Sequence, residues 1–324
     1  MKTIYTKSIY VLFALVTLTA CAQEKSKTDD KEKQGTEMTN SEDVRMEKPD
    51  SPEMTKEELA NEVQSKAVEA VDEASEAIID EAVIAIEQTS AAIKAINDKD
   101  KKKAMEAMEK VTGKLELLVA RNPNVAFLPV EVTTTTSDLI TDLKTIKRLK
   151  KVAEEAIEDD YLQVAREAIA DLESQVEITT MSVPLATYPT AMKAAAILLD
   201  ADKMDEAKVA LYTALNTLVI ETEVIPLPIL RAEVMIAAAM TEDAKDEDKK
   251  KEVLNLLDNA EYQLIMAEEL GYGKRDKEYK ELNKSIKEIK KSVKEDGDSQ
   301  GLFSKLKNKL KNFKNRTSSK SSNK

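Results

Sequence analysis

The chain has 324 residues, with 49 Lys+Arg against 61 Asp+Glu, a formal net charge of −12, no His, no Trp, one Cys and six Gly. Without an imidazole there is no Ser/His/Asp or Cys/His nucleophile machinery, no imidazole general base and no His-bearing zinc site. The scattered glycines also exclude the compact GxGxxG turn and the P-loop, both of which need exposed backbone amides in one tight loop.

Residues 1–20 read as a lipoprotein signal peptide. Lys2 and Lys7 supply its charge, the apolar run Ile9 to Leu18 follows, and it ends Leu18-Thr19-Ala20-Cys21. The run is about half the roughly 20 apolar residues that a membrane span needs. Small residues before Cys21 resemble the bacterial lipobox, which marks Cys21 for lipidation. The expectation is an exported protein, lipid-anchored in the bacterial cell envelope at the outer membrane, on its periplasmic or surface face. A lipidated Cys21 leaves no free thiol, so the fold must be stabilised by packing alone. Residues 21–54 hold Lys, Asp, Glu, Ser, Thr and Gln with almost nothing apolar, and read as a disordered polar tether.

Residues 55–296 form the body. Its apolar residues recur at three and four, almost never at two, which predicts an all-α fold. Leu59, Val63, Ala67, Val71, Ala74, Ile78, Ala82 and Ala85 make one stripe on a long N-terminal helix, extendable through Ile93 and Ile96. An internal repeat appears when Leu162–Ile169 is laid over Met204–Leu211 at an offset of 42 residues, and Pro184 and Pro226 keep that offset. A weaker copy precedes them, with Ala104, Ala107 and Met108 and then Pro123 and Pro129. Each copy reads as an acidic or Lys-rich turn, an Ala-rich helix and a proline-bearing break. The predicted architecture is a repeat-like bundle of stacked antiparallel helical hairpins, none able to bury its apolar face without its neighbours.

The stretch from Ala191 to Gly271 resembles the YfdX family of bacterial envelope stress proteins. Asp205, Ala207, Leu211, Ala214, Pro226-Leu227, Ala232, Ala237 to Ala239, Leu256-Leu257, Ala260 and Ala267 carry the likeness, which extends back to about Leu139. The resemblance implies an all-helical exported protein that self-associates, is linked with tolerance of heat, acid or other envelope stress, and has no catalytic residue to transfer.

Few residues suggest chemistry. Asp98-Lys99-Asp100 and Asp200-Ala201-Asp202 lack the glycine and distal Glu of a calcium loop and read as capped turns, as does Thr241 to Asp248. Six body tyrosines and Phe127 are too few aromatics for a sugar-stacking groove. Tyr161, Tyr188 and Tyr212 lie near repeat junctions, as core residues or as the lining of a pocket. The apolar breaks Met181 to Leu185 and Val224 to Pro228 fill the core or, if exposed, bind unfolded chains or a second subunit.

Residues 297–324 change character. Leu302, Phe303, Leu306, Leu310 and Phe313 interleave with Lys305, Lys307, Lys309, Lys311, Lys314 and Arg316, a basic amphipathic tail suited to a membrane or polyanion surface. Nucleic acid is not an expected partner of an exported chain with this net charge. The sequence therefore predicts a non-catalytic envelope lipoprotein without cofactor or metal. It would form a homo-oligomer and protect against stress by binding misfolded client proteins or small amphiphiles. The alternative is a self-associating tether whose basic tail contacts an anionic surface.

Overall fold

The computed structural model describes residues 47–323 apart from 53, 77, 78, 122, 171, 243, 274–276, 318 and 319. The signal peptide, Cys21 and most of the tether lie outside the described residues. The described chain runs α1 (Lys56–Glu76), α2 (Asp80–Asn97), α3 (Lys101–Arg121), β1 (Phe127–Ser137), α4 (Leu143–Glu158), α5 (Leu162–Ala170) and β2 (Gln175–Pro184). It continues with α6 (Tyr188–Asp200), α7 (Met204–Leu215), β3 (Val219–Pro226), α8 (Leu227–Thr241), α9 (Glu247–Glu269), α10 (Glu278–Lys294), α11 (Gln300–Thr317) and β4 (Lys320–Asn323).

Helical hairpins dominate, as the periodicity predicts, and four of the turns between helices share one local cause. Lys99, Asp160, Asp202 and Asp296 adopt φ of 56°, 60°, 60° and 55°. The next residue then donates its N–H five residues back, as in Asp100 to Ala95 (2.8 Å), Tyr161 to Ala156 (2.7 Å), Lys203 to Leu198 (2.9 Å) and Gly297 to Ser292 (2.9 Å). A left-handed residue that lets two free carbonyls be capped ends a helix sharply and turns the chain back. Asp tolerates that conformation better than most residues, which accounts for acidic turns at these tips.

Two features depart from the sequence reading. The long N-terminal stripe is split between α1 and α2. Ile79 is extended (φ −101°, ψ 111°) and donates its N–H to the Pro129 carbonyl in β1 at 3.1 Å, a hydrogen bond that a continuous helix would forbid. The proline-bearing breaks are strands, paired antiparallel in the order β1-β2-β3-β4. Pro184 and Pro226 end β2 and β3, where a missing N–H removes no inner ladder bond.

One face of the sheet packs on α1 and α8. Val176, Ile178 and Ile225 pack with Val63 and Ala67 of α1 and with Leu227, Leu230 and Val234 of α8. The opposite face carries a cross-strand row, Thr133, Thr179 and Thr222, in which the Thr179 and Thr222 hydroxyls lie 3.3 Å apart. A second core joins α2, α3, α6 and α7, and a third joins α8, α9, α10 and α11. In the former, the Tyr188 hydroxyl donates to Thr89 Oγ1 at 2.9 Å, and burial pushes the phenol pKa up to about 12.

Candidate binding surface

The repeat puts two related hairpins into unlike surroundings. The α6–α7 hairpin docks on α2–α3, and its tip is tied across by Lys101, which meets Asp202 Oδ1 and the Asp200 carbonyl. Leu199 and Leu211 are there 0 % exposed. The α4–α5 hairpin is anchored through its base. Leu143 and Ile146 of α4 pack on Tyr262 and Met266 of α9, and the Leu143 N–H donates to the Tyr262 hydroxyl at 3.1 Å. Lys150 reaches Glu269 at 2.7 Å.

Beyond that base the apolar residues face solvent. At the positions equivalent to Leu199 and Leu211, Ile157 and Ile169 are 51 % and 50 % exposed. Tyr161, Leu162 and Val164 join them, and α5 buries only Ala165 and Ala168. A shallow recess of about 420 Å³ lies along this ridge, lined by Ile157, Leu162, Ala165, Arg166, Ile169 and Ala170. The ridge has therefore kept the apolar stripe of a docking hairpin with that stripe turned outward. Contiguous apolar surface of this kind marks interaction sites on proteins otherwise covered with charge.

The basic C-terminal segment is arranged differently from a free tail. Phe303, Leu306, Leu310 and Phe313 of α11 are buried in the α8–α11 core. The Phe313 ring meets Tyr279 edge to face at 4.7 Å between centroids. Gly273, at φ +60°, lies against Phe313 and Thr317, leaving no room for a Cβ. The apolar face that would enter a bilayer is thus held inside the body. Lys314 pairs with Glu233 (2.8 Å), Arg316 with Glu278, and Lys309 donates to Ser285 Oγ (3.2 Å), while Lys305, Lys307 and Lys311 are exposed.

Glu233 of α8 also accepts from Lys66 of α1 at 3.1 Å, so one carboxylate ties α1 and α11 to α8. Burial alone would raise its pKa. The Lys314 and Lys66 ammonium groups outweigh burial and hold it below the ordinary carboxylate value.

The other sequence candidates have structural places. Tyr188 is core, whereas Tyr161 and Tyr212 are exposed. Val183, Ile225 and Leu227 of the apolar breaks are buried. Asp100 caps α3 through the Lys103 N–H (3.0 Å), and Asp246 caps α9 through Asp248 and Lys249 (both 3.1 Å). Among the described residues no cluster of three or more Cys, Asp or Glu is arranged to hold a metal ion, and no helix is long and apolar enough to cross a membrane. In the sequence Ile157 belongs to the apolar stripe of Ile146, Leu149, Val152 and Ala156, and Ile169 ends the repeat block aligned with Leu211, but neither pattern marks them as surface residues.

Residues 85–224, from within α2 to within β3, match the YfdX protein family. The chain carries a YfdX domain. This domain starts upstream of the stretch whose residues suggested it and stops before Pro226, so Ala232 through Ala267 fall outside. The α4–α5 ridge is inside the YfdX domain; α8 to α11 are not. Salmonella Typhi YfdX is a solved structure similar to this chain at 14 % identity, covering 46 % of this chain and 93 % of that one, with a TM-score of 0.33. No curated protein sequence matches the chain. YfdX is not a known enzyme family.

Proposed function

We propose that this protein is a non-catalytic lipoprotein of the bacterial cell envelope, anchored through Cys21, that protects against stress by holding misfolded clients or small amphiphiles. The observation that carries client binding is the outward apolar stripe of α4–α5, where Ile157 and Ile169 are half exposed at positions buried in the repeat partner. An unfolded segment has apolar side chains to cover and no fixed shape, so a shallow ridge suits it better than a deep pocket. Self-association into a homo-oligomer would use the same stripe. Suppression of client aggregation on heating tests this: Leu162→Lys with Ile169→Lys should abolish it with the melting temperature nearly unchanged. Undiminished suppression by that variant would sink the reading.

A second reading has its own support. The exposed Lys305, Lys307 and Lys311 leave α11 able to contact an anionic surface electrostatically without inserting, which suits a tether. Charge reversal at all three should abolish pelleting with anionic vesicles and leave client binding intact; vesicle binding that persists would remove the tether.

A further inference from the structure

A second concave site lies away from the ridge. Lys48, Ser51, Pro52, Met54 and Thr55 line one side of it, α1 and the segment before α4 frame it, and α8 and α9 form its floor. Its volume is about 380 Å³, within the range of small-ligand sites. Met54, Leu59, Leu139, Met235 and Met266 supply an apolar wall in which flexible thioethers adapt to an alkyl chain.

The polar groups are few and unequal. Asn259 Nδ2 is already used, donating to the Asp50 carbonyl at 2.8 Å, which holds that side of the cleft in place. Gln263 Oε1 is different: it is a buried acceptor with no hydrogen-bond partner. Such a group calls for a donor, and its residue is part of the cleft's lining. At the rim, Lys48 and Lys56 are exposed, and Arg231 is neutralised by Asp138 at 2.6 Å. No acidic side chain is among the described residues of the lining.

We propose that this cleft binds a single-chain amphiphile whose head combines an anionic group, facing Lys48 and Lys56, with a hydroxyl or amide hydrogen donated to Gln263. The chain lies along the methionines, and the space admits one alkyl chain rather than the two of a diacyl lipid. Most of the lining is outside residues 85–224, so the site belongs to this chain's additions around its YfdX domain. It deepens the amphiphile part of the proposed function and is independent of client capture on α4–α5.

The test is calorimetric titration of the full chain with monomeric 14:0 lysophosphatidylglycerol, monomyristoylglycerol and myristate. The expected result is saturable one-to-one binding of the lysophospholipid. Gln263→Leu should weaken it about tenfold and leave myristate, which has no hydroxyl at neutral pH, unaffected. Lys48→Glu with Lys56→Glu should weaken the lysophospholipid and spare the neutral glyceride. Gln263→Leu removes an unpaired buried polar atom, so its fold is retained, and circular dichroism checks it. Absence of saturable binding by the folded wild type, or lysophospholipid affinity unchanged in both variants, would overturn the proposal. Loss of client capture in the α4–α5 variant with lipid binding intact would separate the two functions.

Discussion

The hairpins α4–α5 and α6–α7 are copies with opposite fates. They share the 42-residue spacing, the left-handed aspartate at the tip and the alanines that bring their helices together. One meets α2–α3 and closes a four-helix core; the other is held by its base on α9 and keeps its stripe outside. The difference teaches that an apolar stripe at helical spacing fixes a helix without fixing what covers it. Coverage depends on which hairpin the chain places next. At the far end, α10–α11 fills on α8–α9 the role that α2–α3 fills on α6–α7.

Substitutions can break or sharpen that contrast. The largest effect is expected in the α8–α11 core: Phe313→Ala should cost about 3–5 kcal/mol in urea unfolding. A cost below 1 kcal/mol would mean α11 is not an integral helix. Next, Leu211→Ala should cost about 2–5 kcal/mol, while Ile169→Ala at the equivalent position should stay within about 0.5 kcal/mol. Equal costs would show that the ridge is covered in solution, by a second copy or another partner.

Removing one carboxylate comes third. Glu233→Gln, which unpairs Lys66 and Lys314, should destabilise by about 1–3 kcal/mol at neutral pH. Because the folded-state pKa of Glu233 lies below its ordinary value, this stabilisation is complete above the unfolded value and is lost as pH falls through the folded one. Wild type and variant should therefore converge in stability in strong acid, below about pH 4, and a constant gap from pH 7 to pH 3 would refute the assignment. With no histidine, little change is expected near pH 6. The smallest effect on stability is expected for Ile157→Lys, within about 0.5 kcal/mol, accompanied by a clear loss of hydrophobic-dye binding.

Much of this fold was legible in the sequence. Helical stripes and turn aspartates named most of the hairpins, and the offset between Pro184 and Pro226 located equivalent segments. The sheet was not read because its alternation is hidden. In β1 the run Thr133 to Thr136 puts threonine on both faces, so no polarity contrast marks a period of two. The split after α1 was hidden too, since it depends on a hydrogen bond from Ile79 to a strand about 50 residues away. The apolar stripe of α11 was correctly seen as one face of a helix. Its burial was not, because an amphipathic face reads alike whether it meets lipid or protein.

The position of α11 also sets an order of events. The chain leaves the ribosome from its N-terminus, so α8 and α9 emerge with the surface that Phe303, Leu306, Leu310 and Phe313 will cover still open. That surface stays open until Thr317 has been made, and β4 then pairs with the edge of β3. A protein read as a keeper of unfolded chains is itself, until its last helix arrives, a chain in need of keeping.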